Sequence, residues 1–333
     1  MRIAVIGAGS WGTTLANLLA KKGLEVTLWA YERDLVERLQ ATRVNDLFLP
    51  GIQLDARLAF TDDLAAVVSG RQAVVLVSPS QVMRRVVEQL RPRLEADCLL
   101  VSAAKGIEND TLLLMSELLA EVLGDAGASR CAYLSGPSFA REVAAELPTA
   151  VAVAAADDDV ARTVQDLFRT DYFRVYTNPD VIGVEIGGAL KNVIALAAGV
   201  SDGLGFGHNA RAALINRGLV EMARLGAAKG AQAETFAGLA GMGDLVLTCT
   251  GDLSRNRTVG IELGRGRKLG EILGGMRMVA EGVKTTLSAY QLAQKLGVVM
   301  PITEQMYQIL YQDKAPRQAV SELMMRQQKA ERH

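Results

Sequence analysis

Ten residues near the start, IGAGSWGTTL, restrict the fold more than any other stretch of the chain. Arg2 to Ile6 read as a short buried strand, and Thr13 to Lys22 as a helix closed by Gly23. Between them Gly7, Gly9 and Gly12 form a G-x-G-x-x-G loop. A glycine at the first position permits the tight turn, and the second lets backbone approach a pyrophosphate. The third brings helix and strand close together. Glu25 to Trp29 then read as a second strand. Strand, glycine loop, helix and strand open a parallel α/β sheet that carries a dinucleotide on a helix N-terminus.

Further strands are expected at Ala73 to Ser78, Cys98 to Ala103, Cys131 to Leu134 and Thr149 to Ala155. Helical patterns separate most of them, at Gln81 to Leu94, Thr111 to Leu123 and Asp157 to Phe168. After Thr177 to Asp180 the texture changes to long Ala/Leu/Gly helical runs. The expected fold class is therefore α/β: a Rossmann-like parallel-sheet domain over 1–180, then an all-helical substrate domain over 181–333. The tail from Pro316 to His333 reads as a polar amphipathic surface helix.

Composition excludes several function classes. The 333 residues carry a net charge of −1, which gives no bulk attraction to nucleic acid. The three cysteines are far apart and form no C-x-x-C, as expected of reduced thiols in a cytoplasm, and only two histidines occur. A metal site or a Ser-His-Asp triad is poorly supplied, so no metal is expected. No uncharged apolar run reaches the ~20 residues of a membrane span, and the N-terminus does not read as a signal peptide. An integral membrane protein is not expected.

The helical half contains an anomaly. In EIGGALKNVIALAAG, Glu185 to Gly199, every residue from Gly187 onward is apolar or small except Lys191 and Asn192. A buried ammonium must be paired, or its pKa must fall. A desolvated lysine can give and take protons, whereas the bland reading is a lysine that snorkels to water. Further on, Ser254, Arg255, Asn256 and Arg257 follow GMGDLVLTCTGDL and supply groups suited to a phosphate monoester, or form a solvated loop. Asp244 could orient a lysine or accept from a substrate hydroxyl. SAAKGI (Ser102–Ile107) and LSGPSFA (Leu134–Ala140) end strands where open α/β sheets bind ligands. His208 lies in a glycine loop and reads as a hinge or cap. Past the second strand the chain runs Ala30, Tyr31, Glu32, Arg33. A neutral residue followed by arginine suits a 2′-phosphate, so NADP(H) is favoured, while Glu32 leaves NAD(H) possible.

Taken together and in order, IGAGSWGT, NDLFLPGI, SPSQVMR, SAAKGIE, SGPSFAREV, GALKNVIALAAG, GMGDLVLTCTGDLSRNR and VAEGV resemble the NAD(P)-dependent glycerol-3-phosphate dehydrogenases of bacterial type. The resemblance implies reduction of dihydroxyacetone phosphate to sn-glycerol 3-phosphate, feeding phospholipid synthesis, with a homodimer possible. It implies Lys191 as the general acid–base residue, with Asn192 helping to hold it. It matches Lys105, Gly136, Ser138, Asp244, Ser254, Arg255 and Asn256 to substrate contacts. It matches Ser10, Trp11, Tyr31, Arg33, Lys105, Ala140, Arg255, Val279 and Glu281 to cofactor contacts, beside Gly7, Gly9 and Gly12. Trp11 is expected to cover the pyrophosphate or nicotinamide side. Two other readings stay open: a 3-hydroxyacid or 6-phosphogluconate type dehydrogenase, and a non-catalytic NADP-binding sensor.

Overall fold

The computed structural model describes residues 1–276, 280–328 and 330–331. Val279 and His333 lie outside the described residues. Eight strands form one sheet: β1 (Arg2–Ile6), β2 (Glu25–Trp29), β3 (Ala59–Thr61), β4 (Ala73–Leu76), β5 (Leu99–Ser102), β6 (Cys131–Ser135), β7 (Thr149–Ala155) and β8 (Phe173–Asn178). Their order is β3-β2-β1-β4-β5-β6-β7-β8. The strand order reverses between β1 and β4, and such a reversal opens the ligand crevice of an open α/β sheet. Ile3, Val5, Ala73, Val75 and Val101 are buried, so apolar runs rather than alternation mark these central strands.

The sheet departs from the purely parallel expectation at its far end. β7 runs antiparallel to β6, and β8 runs parallel to β7. The connection from β6 carries only the five-residue helix Ala140–Ala144. That helix rises about 7.5 Å, while returning along a seven-residue strand needs about 23 Å. The chain therefore turns back antiparallel. β8 was not expected, although its period was visible: Phe173 and Val175 point inward, while Arg174 and Tyr176 face out. Elsewhere the expected helices are trimmed. Gln81 to Leu94 becomes a 3₁₀ turn, the helix Met83–Leu90 and a second 3₁₀ turn over Arg91–Arg93, which contains Pro92. The tail helix spans Pro316–Met324 and stops short of the chain end.

The helical half is built around one buried helix, Val181–Gly203. It is long and apolar enough to cross a membrane, yet 83% of its apolar window is buried inside this protein. Asp180 fixes its start. One carboxylate oxygen accepts from Gly183 N at 2.9 Å; the other accepts from Gln232 N at 2.9 Å and Thr235 Oγ1 at 2.6 Å. The helix Arg255–Gly264 lies against its C-terminal half along Gly199, Gly203, Gly260 and Gly264. A Cβ at Gly199 would fall 2.1 Å from Arg257 O, and one at Gly260 would fall 2.1 Å from Leu196 O. The two backbones touch, and that contact sets where Asn192 meets Asn256.

Gly199→Ala tests this packing. Helix propensity alone would stabilise the variant by about 1 kcal/mol. Overpacking against a backbone carbonyl costs about 1–3 kcal/mol and is expected to win. Urea unfolding should show a net loss; a gain would mean that the seam has room.

Candidate active site

Three segments bring their polar side chains to one point between the halves. Lys191 comes from the buried helix and Lys105 from the loop after β5. Asp244 opens the helix Asp244–Thr250, and Thr248 follows one turn later on the same face. Lys191 Nζ donates to Asp244 Oδ1 at 2.5 Å and to Thr248 Oγ1 at 3.0 Å. Lys105 Nζ donates to Asp244 Oδ2 at 2.6 Å and to Gly136 O at 3.2 Å. Thr248 Oγ1 in turn donates to Asp244 O at 2.6 Å. One carboxylate, 1% exposed, thus bridges two ammonium groups. The snorkelling reading of Lys191 fails, because the lysine is paired in place and 7% exposed.

Charges this close shift one another. Burial pushes Lys191 down to about 8 from its ordinary 10.5; Asp244 opposes the fall and Lys105 adds to it. Burial alone would raise Asp244, but the ammonium groups of Lys105 and Lys191 outweigh it and hold the carboxyl below its usual range. Two of the three Lys191 N–H groups have partners among the described residues. The third has no partner among them.

A second cluster stands beside the first. Asn256 Nδ2 donates to Asn192 Oδ1 at 2.9 Å, and Asn256 Oδ1 accepts from Gly282 N at 3.0 Å. These bonds lock the residue after Lys191 to the start of the helix Glu281–Leu296. Ser254 is the N-cap of the helix Arg255–Gly264, accepting from Arg257 N at 3.2 Å. Arg257 is spent on Asp202 and Asp252. Arg255 makes no ion pair among the described residues. Burial raises the Glu281 carboxyl, with Arg255, Lys105 and Lys191 opposing in that order.

The glycine loop has the form of a dinucleotide cradle. Gly7 adopts φ +119°, and a Cβ at Gly12 would lie 1.9 Å from Gly7 O. A Cβ at Gly9 would meet nothing within 4 Å. No side chain caps the helix Ser10–Lys21, and its first turn carries no acid. Its N–H groups are therefore open to an anion, so these residues fit a pyrophosphate. Thr14 Oγ1 donates to Ala140 O at 3.1 Å and joins this helix to the loop after β6. In that loop Gly136 has φ +135°, and its carbonyl accepts from both Lys105 and Ser138. Trp11 packs on Phe173 with ring centroids 6.4 Å apart. Tyr31 is 74% exposed and meets Trp29 edge-on. Arg33 is exposed, with Glu37 at 3.4 Å. His208 begins the helix His208–Lys229 and contacts Arg211. Sequence reasoning missed Thr248; its spacing of four from Asp244 was the available signal.

Comparisons with known proteins agree with this layout. Residues 2–161 match the NAD-dependent glycerol-3-phosphate dehydrogenase N-terminus family, and 180–321 match the corresponding C-terminus family. Proteins named glycerol-3-phosphate dehydrogenase [NAD(P)+] from Syntrophotalea carbinolica and Geobacter metallireducens are 67% and 68% identical, each alignment covering 99% of both chains. The crystal structure of glycerol-3-phosphate dehydrogenase from Coxiella burnetii is 43% identical, covers 98% of this chain and 99% of its own, and superposes with a TM-score of 0.94. By sequence over its whole length and by fold, the chain belongs to the NAD-dependent glycerol-3-phosphate dehydrogenase family.

Proposed function

We propose that Lys191 is the proton donor and acceptor of a hydride-transfer site, that Asp244 and Thr248 hold it, and that Lys105 shares the carboxylate. The reaction is that of the family: reduction of dihydroxyacetone phosphate to sn-glycerol 3-phosphate with NAD(P)H, and its reverse. The hydroxyacid-dehydrogenase and sensor readings are not favoured by these likenesses. One observation carries the assignment of roles: a buried ammonium, pKa near 8, with an N–H left over after pairing. When bound, a nicotinamide cofactor whose pyrophosphate the glycine loop would hold would supply the hydride.

The residues of this chain divide the remaining work. Lys191 protonates the carbonyl oxygen during reduction, and its ammonium stabilises the negative charge gathering there. Asp244 keeps Lys191 charged despite burial and aims its Nζ, while Lys105 prevents the pair from becoming too tight for proton release. Arg255 meets the substrate phosphate from the start of its helix, where the N–H groups also face an anion. Asn256 is braced by Asn192 and Gly282, so the phosphate end and Lys191 keep a set spacing. Gly136 and Ser138, next to Lys105, are read as substrate contacts and Ala140, next to Thr14, as a cofactor contact, while Ser254 fixes the helix start.

For the cofactor, we infer a preference for NADP(H) from Tyr31 and Arg33, which stand exposed at the end of β2. Ser10, Trp11 and the three glycines would hold the pyrophosphate of a bound cofactor, and Glu281 with Arg255 would meet its nicotinamide end. We read the two halves as dividing at 180, where Asp180 caps the buried helix. The three buried free thiols suit a reducing cytoplasm, and the product's chemistry suits phospholipid synthesis.

Lys191→Ala should fold, bind cofactor and lose roughly 10²–10⁴-fold in turnover. Near-parental turnover would remove lysine as the proton donor. In the parent enzyme, the reduction rate at saturating substrate should fall as pH rises through about 8 and the oxidation rate should rise, because the two directions need opposite states of Lys191. Arg255→Ala should raise the Michaelis constant for dihydroxyacetone phosphate by roughly tenfold or more, from the loss of a charged hydrogen bond. Arg33→Ala should lower kcat/KM for NADPH and leave NADH nearly unchanged; equal losses would place the 2′-phosphate elsewhere.

A further inference from the structure

The loop that presents Lys105 has no secondary structure between the end of β5 and the helix Met115–Leu123, apart from one isolated bridge. A loop of this kind would leave an ammonium loosely placed. Here a single carboxamide grips its backbone. Gln81 Nε2 donates to Ile107 O at 2.7 Å, and Gln81 Oε1 accepts from Asn109 N at 3.0 Å. The side chain bonds this loop as a neighbouring β-strand would, by one donor and one acceptor at residues two apart. Gln81 is itself held in the 3₁₀ turn Ser80–Val82 that follows β4.

The same carbonyl is bonded from the other half. Ser288, fully buried in the helix Glu281–Leu296, donates its hydroxyl to Ile107 O at 3.1 Å. Two donors from two halves thus converge two residues after Lys105. Beside them Gly106 is packed so closely that a Cβ would fall 2.3 Å from Ser80 Oγ. Arg84 grips Glu108 through Nε at 3.0 Å and Nη2 at 2.9 Å, which closes the loop on its far side.

We propose that Gln81 is a positioning residue for the reaction: with Ser288 it fixes the loop so that the Lys105 ammonium meets Asp244 and shares it with Lys191. This rests on the proposed roles of Lys191 and Asp244. Gln81 touches neither substrate nor cofactor in this reading and acts through Lys105. A mere brace would affect stability alone. A positioning role reaches Lys191, since releasing Lys105 removes a neighbouring positive charge and leaves Asp244 to Lys191. The Lys191 ammonium then becomes harder to deprotonate.

The test compares Gln81→Ala and Ser288→Ala with the parent by two readouts. One is kcat for reduction and oxidation between about pH 6 and about pH 10, together with KM for dihydroxyacetone phosphate. The other needs no turnover: the pH dependence of Lys191 acetylation by acetic anhydride, followed by peptide mass spectrometry. Gln81→Ala should lower kcat by roughly tenfold to a hundredfold, as a displacement of about 1 Å does. It should also move the titration of Lys191 to higher pH. Ser288→Ala should move it the same way by less, and it keeps the proposal testable if Gln81→Ala folds poorly. Gln81→Glu retains the bond from Asn109 N but not the one to Ile107 O, so it should fall between Ala and the parent. A Lys191 titration unchanged in folded Gln81→Ala, or in Ser288→Ala, overturns the proposal whatever happens to stability. Failure of the underlying roles reads out differently, as full turnover in Lys191→Ala.

Discussion

The proposed site depends on one buried carboxylate facing two ammonium groups. Two lysines beside each other would repel, and burial by itself pushes the Lys191 pKa down. Asp244 reconciles them because each of its oxygens takes one lysine. A buried ion pair is a poor source of stability, since desolvation offsets most of the attraction. Its value here is electrical. Three charges at hydrogen-bond distance leave Lys191 charged at neutral pH yet able to release its proton slightly above it.

The rest of the fold can be read as the support for that arrangement. Lys191 needs a rigid buried helix, and the glycine seam presses the helix Arg255–Gly264 directly onto that helix's backbone. Asp244 needs to lead its own helix, and the π-helical turn Leu239–Gly243 delivers it there. Lys105 needs a strand end from the sheet, and Gly136 lends the carbonyl that receives its second hydrogen bond. The sheet half contributes one lysine, the helical half contributes the other together with the carboxylate, and the proposed reacting centre lies where the halves meet.

How much of this was legible depended on the range of the forces involved. The strand–glycine loop–helix opening was readable because backbone geometry at Gly7 and Gly12 allows few residues other than glycine. Central strands were readable because burial on both faces leaves an apolar run. The reversal of β7 was not readable from its own residues, since the short connection before it decides the direction. Lys191 was ambiguous for a similar reason: its partner Asp244 is 53 positions away, beyond the helices His208–Lys229 and Ala233–Ala237. The residues of the proposed site came mostly from the resemblance, and the structure brings Lys105, Lys191 and Asp244 together in space, with Asn256 bonded to Asn192. Gln81 was visible only as part of the SPSQ block, because nothing local marks a glutamine as the clamp of a distant loop.

The most direct measurement is the titration of the Lys191 ammonium in the intact protein, followed by the ¹⁵Nζ shift of labelled lysine and assigned by its loss in Lys191→Arg. The expected midpoint is near 8, well below the ordinary 10.5. A midpoint at or above the ordinary value would contradict it: Asp244 would then hold Lys191 permanently charged, and the proton of the reaction would have to come from another group.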